Sequence, residues 1–176
     1  LTETPIVRPA TKITPASDKL TIGTYNVENF STATPDAKVT KIADAIVAKM
    51  KSPDIIGLNE IQDNNGETDT GIVDGTQSAQ KIINKVVALG GPTYAYTEIT
   101  PVNNQDGGAP GGNIRVAFLY NKARVSLTEG APKGTSTQAV GFENGKLTLN
   151  PGRIDPTNAA FNSSRKPLAA QFDFQG

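Results

Sequence analysis

Two short segments carry residues whose types and spacing suit phosphate and metal chemistry. The first is Tyr25-Asn26-Val27-Glu28-Asn29-Phe30 and the second is Leu58-Asn59-Glu60-Ile61. Asn26, Glu28, Asn59 and Glu60 together offer two carboxylates and two amides, all hard oxygen donors. That set suits Mg²⁺ or Mn²⁺, which keeps several waters and takes one or two carboxylates plus a substrate phosphate. The same residue types also end strands as plain solvated terminators, and spacing alone does not separate the two readings. Composition narrows the chemistry further. The 176 residues contain no His and no Cys. Imidazole-dependent triads, His-ligated zinc, thiolate nucleophiles, disulfides and iron–sulfur ligation are therefore all excluded within this chain.

These residues reach one place only if the elements bearing them are parallel neighbours. Leu20, Ile22 and Thr24 alternate against Thr21 and Gly23, which predicts a strand over 19–27. Val39, Ile42, Ala43, Ile46, Val47 and Met50 form one continuous apolar helical face, ended by Ser52-Pro53. Residues 54–61 are nearly all apolar and read as a strand buried on both faces. Strand, helix and strand in this length predict a parallel, right-handed βαβ unit. Asn26, Glu28, Asn59 and Glu60 then converge at the carboxyl edge of the sheet, where open α/β sheets bind ligands.

Further on, the pattern predicts a helix over 77–89, a strand at Tyr94–Ile99 and a Gly-rich loop at 100–113. A hairpin of 114–120 with 123–128 follows, then an extended stretch at 146–149 and a final strand at Lys166–Phe174. Residues 1–18, with Pro5, Pro9 and Pro15, read as an extended lead or linker, and 19–176 as one domain. No apolar run approaches the ~18 residues of a membrane helix, so no membrane partner is expected. Lys and Arg total 17, as do Asp and Glu, but unevenly: residues 1–112 carry 9 basic and 13 acidic side chains, and 113–176 carry 8 and 4. The asymmetry is either a random surface distribution or a cation-binding part followed by an anion-binding part.

Gly23-Thr24-Tyr25-Asn26-Val27, a helix, and then Asp54-Ile55-Ile56-Gly57-Leu58-Asn59-Glu60 resemble the opening of the endonuclease/exonuclease/phosphatase family, which includes the deoxyribonuclease I-like nucleases. Gly112-Asn113-Ile114-Arg115-Val116-Ala117-Phe118-Leu119-Tyr120-Asn121 resembles that family's central hairpin strand, and Ser164-Arg165-Lys166-Pro167-Leu168 its Arg-x-Pro segment. Asp63-Asn64-Asn65-Gly66 and Asn150-Pro151-Gly152-Arg153-Ile154-Asp155 are most similar to the large bacterial extracellular nucleases. The resemblance spans residues 19–174.

The resemblance implies roles. Glu60 matches the metal-ligand Glu, Asn26 the active-site Asn beside phosphate and metal, and Glu28 an acidic position near the metal. Arg115 and Arg165 match phosphate-contacting positions, and Tyr120 joins the catalytic set from the hairpin. The implied cofactor is Mg²⁺ or Mn²⁺, with Ca²⁺ as an auxiliary ion, although Asp63–Asp74 fails the EF-hand spacing. That loop is expected to be mobile and acidic. Lys166 reads as solvated. The implied substrate is nucleic acid, with DNA favoured over RNA, and the implied location is extracellular or periplasmic.

One departure matters. The family's general-base His with its acidic partner, and its later Asp-Asn pair, have no counterpart here. The expectation is the first part of a four-layer α/β/β/α sandwich with mixed β-sheets, truncated before the C-terminal half. It would leave an apolar sheet face for the missing half or a second chain. Such a piece of a phosphodiesterase is expected to be inactive alone. The alternative is a non-catalytic module that binds phosphate, nucleic acid or a protein partner.

Overall fold

The computed structural model describes residues 9–175, so the first eight residues of the expected lead lie outside the described region. Residues 9–16 carry no regular structure. The first regular element is β1 (Ile22–Phe30), which runs three residues further than its alternation predicts. It leads into α1 (Asp36–Asp44), whose helix widens into a π-helical segment over Ala45–Lys49. Strand β2 (Ile55–Ile61) follows and pairs in parallel with β1. The predicted parallel βαβ unit is therefore present.

Helix α2 (Thr76–Ala88) leads to β3 (Tyr94–Glu98) and β4 (Arg115–Asn121). The main sheet has the order β1-β2-β4-β3, and β4 is antiparallel to both of its neighbours. The fold is mixed α/β with a mixed sheet, as expected. The hairpin expectation needs correction: β5 (Val125–Leu127) follows β4 but does not pair with it. It pairs with β10 (Phe172–Phe174) in a separate two-stranded sheet. Between them lie the hairpin β6 (Phe142–Glu143) and β7 (Lys146–Leu147), and the pair β8 (Gly152–Arg153) and β9 (Leu168–Ala169). The expected final strand is thus two short strands, each with a different partner.

Directly paired residues share a face, so the register assigns the two faces. Ile56, Leu58, Ala117 and Leu119 face the helices and are buried. Val39, Ile42, Ala43 and Ile46 from the first helical segment, and Ala79, Ile82, Ile83 and Val86 from α2, complete this core. Each large side chain there stabilises the fold by about 1.5–3 kcal/mol on burial. Gly23 lets the first helix end close down on β1, because a Cβ there would run into Met50 Cε.

The opposite face bears Ile22, Thr24 and Asn26 from β1, Gly57 and Asn59 from β2, and Val116, Phe118 and Tyr120 from β4. It is only partly covered. Phe172 of β10 packs edge-on against Phe118 at 5.8 Å between ring centroids and tilted against Tyr120 at 5.4 Å. Ile22 at the far corner stays 67% exposed. This face is less apolar than expected, since Thr24, Asn26, Gly57 and Asn59 occupy its β1–β2 half beyond the Ile22–Ile55 pair.

Arg124 ties three parts of the chain together. Its Nε donates to Asp54 Oδ1 at 2.9 Å, while its terminal nitrogens donate to the carbonyls of Ala16, Ser17 and Lys19. Its guanidinium also lies over the Phe174 ring at 5.1 Å. Asp54 in turn accepts from the Thr21 amide and hydroxyl. Burial pushes the Asp54 carboxyl up, but the Arg124 bond, the two Thr21 bonds and the Arg124 charge outweigh it and hold it below its ordinary value.

Two measurements check this arrangement. Ile82→Ala, at a fully buried position, is expected to cost about 2–5 kcal/mol in urea denaturation. A depressed folded-state value means that Asp54 contributes stability above its unfolded pKa of about 3.9, which is lost as the pH falls through the folded value. Asp54→Asn should therefore flatten the acid limb of stability below about pH 4.

Candidate functional site

The register of β2 breaks at Glu60. Asn59 pairs with Val116 and Ile61 with Arg115, which leaves Glu60 as an extra residue with no partner on β4. The β1–β2 ladder breaks at the same place, stepping from Asn26↔Asn59 to Phe30↔Ile61. Glu60 adopts φ +66, and Glu28 and Asn29 across the gap adopt +54 and +49. Three non-glycine residues in left-handed backbone are thus gathered at one strand edge. Bulges re-aim side chains, and such strain concentrates at functional sites.

Asn26 is the last regular residue of β1, directly beside Asn59. Its Oδ1 accepts from the Glu28 amide at 2.8 Å, closing a local turn. That turn presents the Asn26 amide group on the open face. Glu60 is 20% exposed at the side chain, and its ion pair among the described residues is with Arg165, Nη2 to Oε1 at 3.8 Å. The structure therefore brings Asn26, Asn59, Glu60 and Arg165 to one sheet edge.

Glu28 lies nearby, but its carboxylate turns to α1. Its Oε2 is 3.1 Å from Lys38 Nζ, which also donates to the Glu28 carbonyl at 2.6 Å. The Glu28 side chain is 81% exposed and held by a cation. It lines a cleft of about 480 Å³ between the β1–α1 and β2–α2 loops, together with Asn29, Ser31, Lys38, Gln62 and Asn65. Gln62, 2% exposed, leaves Nε2 without a hydrogen-bond partner, as Asn65 leaves Oδ1. Sequence reading missed Gln62 and Asn65 as cleft residues. The available signal was the position of both in the loop that follows a strand of the parallel pair.

Two expected site residues are elsewhere. Arg115 is 1% exposed, with Nη1 at 3.5 Å from Glu98 Oε2 and its other nitrogens donating to the Asn113 carbonyl. Strand alternation explains this: Val116 takes the open face beside Asn59, so Arg115 must turn to the helix side. Gly75 accommodates it, since a Cβ there would lie 3.0 Å from the guanidinium carbon. In this arrangement Arg115 is a core cation and offers no fork to a phosphate at the surface. Tyr120 pairs with Ile55, five positions from Glu60 along β2, or about 17 Å at ~3.3 Å per residue. It belongs to the Phe172 cluster, and burial pushes its hydroxyl up.

The acidic loop is tied down by hydrogen bonds from its own Asn64 and Asn65 and from Thr76, Asn104 and Asn113 outside it. Asp63 accepts from the Asn65 amide and from Asn113 Nδ2, Asp74 from Asn64 and Thr76, and Asp69 from Asn104. Hydrogen bonds from Thr76 hold Asp74 below its ordinary value, outweighing burial, with help from Asn64 and the Arg115 charge. Lys166, expected to be solvated, is 10% exposed. It donates to the carbonyls of Gln105, Phe161 and Ser164 and lies 3.7 Å from Asp106. Asp106 also meets Arg153 Nη2 at 2.6 Å, with both side chains buried.

Among the described residues, no three His, Cys, Asp or Glu side chains are grouped to hold a metal. Glu60 with neighbouring amides is a carboxylate-poor set that suits a cation retaining most of its waters, as Mg²⁺ does. No helix among the described residues is long and apolar enough to cross a membrane. No protein-family model matches the chain, and no curated protein matches it.

Asp106→Ala would leave Arg153 buried without its carboxylate and remove the charge partner of Lys166. It should destabilise the fold by about 3–5 kcal/mol in urea denaturation, as expected on breaking a buried ion pair.

Proposed function

We propose that this chain is part of a divalent-metal-dependent phosphodiesterase, an extracellular or periplasmic nuclease with DNA as its favoured substrate. The observation that carries the reading is the bulged Glu60 beside Asn26 and Arg165, at the carboxyl edge of two parallel strands. Carboxylate, amide and guanidinium at one edge are groups that can hold a cation and bind a phosphodiester beside it. Their agreement with the sequence resemblance supports the family assignment proposed here.

In this reading Glu60 holds the cation, with Asn26 and Asn59 beside it. When bound, Mg²⁺ or Mn²⁺ supplies charge neutralisation at the phosphate oxygens. Arg165 offers two N–H groups to the nonbridging oxygens, and the Asn26 amide orients the phosphate. Asn29, exposed at the same strand end, presents its amide to the flanking sugar and base. The 176 residues hold no imidazole to take the proton from the attacking water. We assign that base to a segment not included in this sequence. The open sheet face, with Ile22 exposed and Phe118 only partly covered by Phe172, would receive the second sheet of a four-layer sandwich.

A chemical-rescue assay tests the proposal. The chain alone should nick supercoiled plasmid weakly or not at all in Mg²⁺. Added imidazole should raise Mg²⁺-dependent nicking, and Glu60→Gln should abolish the gain. Vigorous nicking without imidazole would contradict the missing base. Rescue that persists in Glu60→Gln would contradict the role of Glu60.

A further inference from the structure

Each of the four arginines after residue 112 is paired with a carboxylate from the first 112 residues: Arg115 with Glu98, Arg124 with Asp54, Arg153 with Asp106 and Arg165 with Glu60. The first three anchor the fold. Arg115 and Arg153 are buried, and Arg124 holds Asp54 through a 2.9 Å hydrogen bond. The fourth pair is the longest and the most exposed of the four. Its contact is 3.8 Å, beyond hydrogen-bond distance, and its side chains are 38% and 20% exposed. Arg165 has only this ion pair among the described residues, whereas its neighbour Lys166 is fixed by three carbonyls and Asp106. The backbone at Arg165 is thus anchored while its guanidinium is held by one loose contact.

From this contrast we infer that Arg165 is an exchangeable counter-ion. It occupies the Glu60 carboxylate when no cation is bound, and it passes to the substrate phosphate when a cation takes its place. This inference rests on the reading of Glu60 as the cation-holding residue. Two positive groups compete for one carboxylate, so the cation must overcome Arg165, and its arrival releases a guanidinium for the phosphate. Cation and phosphodiester therefore bind with positive coupling, which is reciprocal by linkage. In the free site Arg165 occupies the carboxylate that the cation needs.

Mn²⁺ titration followed by electron paramagnetic resonance tests the exchange, with thermal midpoints confirming that each variant folds. Arg165→Gln should bind Mn²⁺ about 2- to 5-fold more tightly than the wild type, the range expected on losing a part-exposed ion pair. Arg165→Lys, which keeps the charge, should stay near the wild-type affinity. Mn²⁺ should strengthen binding of a fluorescent phosphorothioate DNA oligonucleotide, and Arg165→Gln should lose most of that gain. Loss of Mn²⁺ binding in Glu60→Gln with unchanged or weaker affinity in Arg165→Gln would overturn the exchange and leave the Glu60 reading intact. Equal Mn²⁺ binding by wild type and Glu60→Gln would overturn the Glu60 reading, and the exchange with it.

Discussion

Arginine–carboxylate pairing across the length of the chain is the interaction on which the rest of the structure depends. The first 112 residues carry an excess of acid and the remainder an excess of base. Folding consumes much of that imbalance inside the molecule. Asp54, Glu98 and Asp106 are each 5% exposed or less, and each meets an arginine from the later part. A buried carboxylate without such a partner would be costly, so these pairs make the irregular later segment a necessary part of the main sheet's environment.

The second determining feature is one extra residue. Without Glu60, β2 would run in continuous register between β1 and β4, and its polar end would alternate between the two faces. The insertion keeps Asn59 on the open face and Ile61 in the core, with Glu60 free of the ladder between them. The same break lets β1 curl through Glu28 and Asn29 and carry Phe30 back into the core. A purely local irregularity thus separates the packing of the sheet from the display of its polar edge.

Much of this fold is legible in the sequence, and the parts that are not share a physical cause. Periodicity reveals β1, the two helices and β2 because each buries one repeating apolar face or run. Parallel pairing then follows from the helical crossover, and with it the meeting of Asn26 and Glu60. The later elements are short and find partners far along the chain. Adjacency suggests that β4 and β5 pair, yet β5 pairs with β10. Arg115 and Lys166 are misread for a related reason. A basic residue in a strand or loop carries no local sign of burial, which here depends on Glu98 and Asp106 in distant segments. Arg165 and Lys166 are consecutive and similar in type, but one faces the polar edge and the other a buried carboxylate.

The cross-chain pairing also bears on synthesis. A ribosome delivers the acidic part first, and domains fold from the N-terminal side as the chain emerges. The βαβ unit has its apolar contacts as soon as α2 and β4 are out. Asp106 must then wait for Arg153, and Glu60 for Arg165, through stretches of 47 and 105 intervening sequence steps. A nascent chain paused before residue 153 would hold a formed apolar core beside uncompensated acid, a state that invites cations from solution. During synthesis, therefore, the pairs of Asp106 and Glu60 cannot close until Arg153 and Arg165 have emerged.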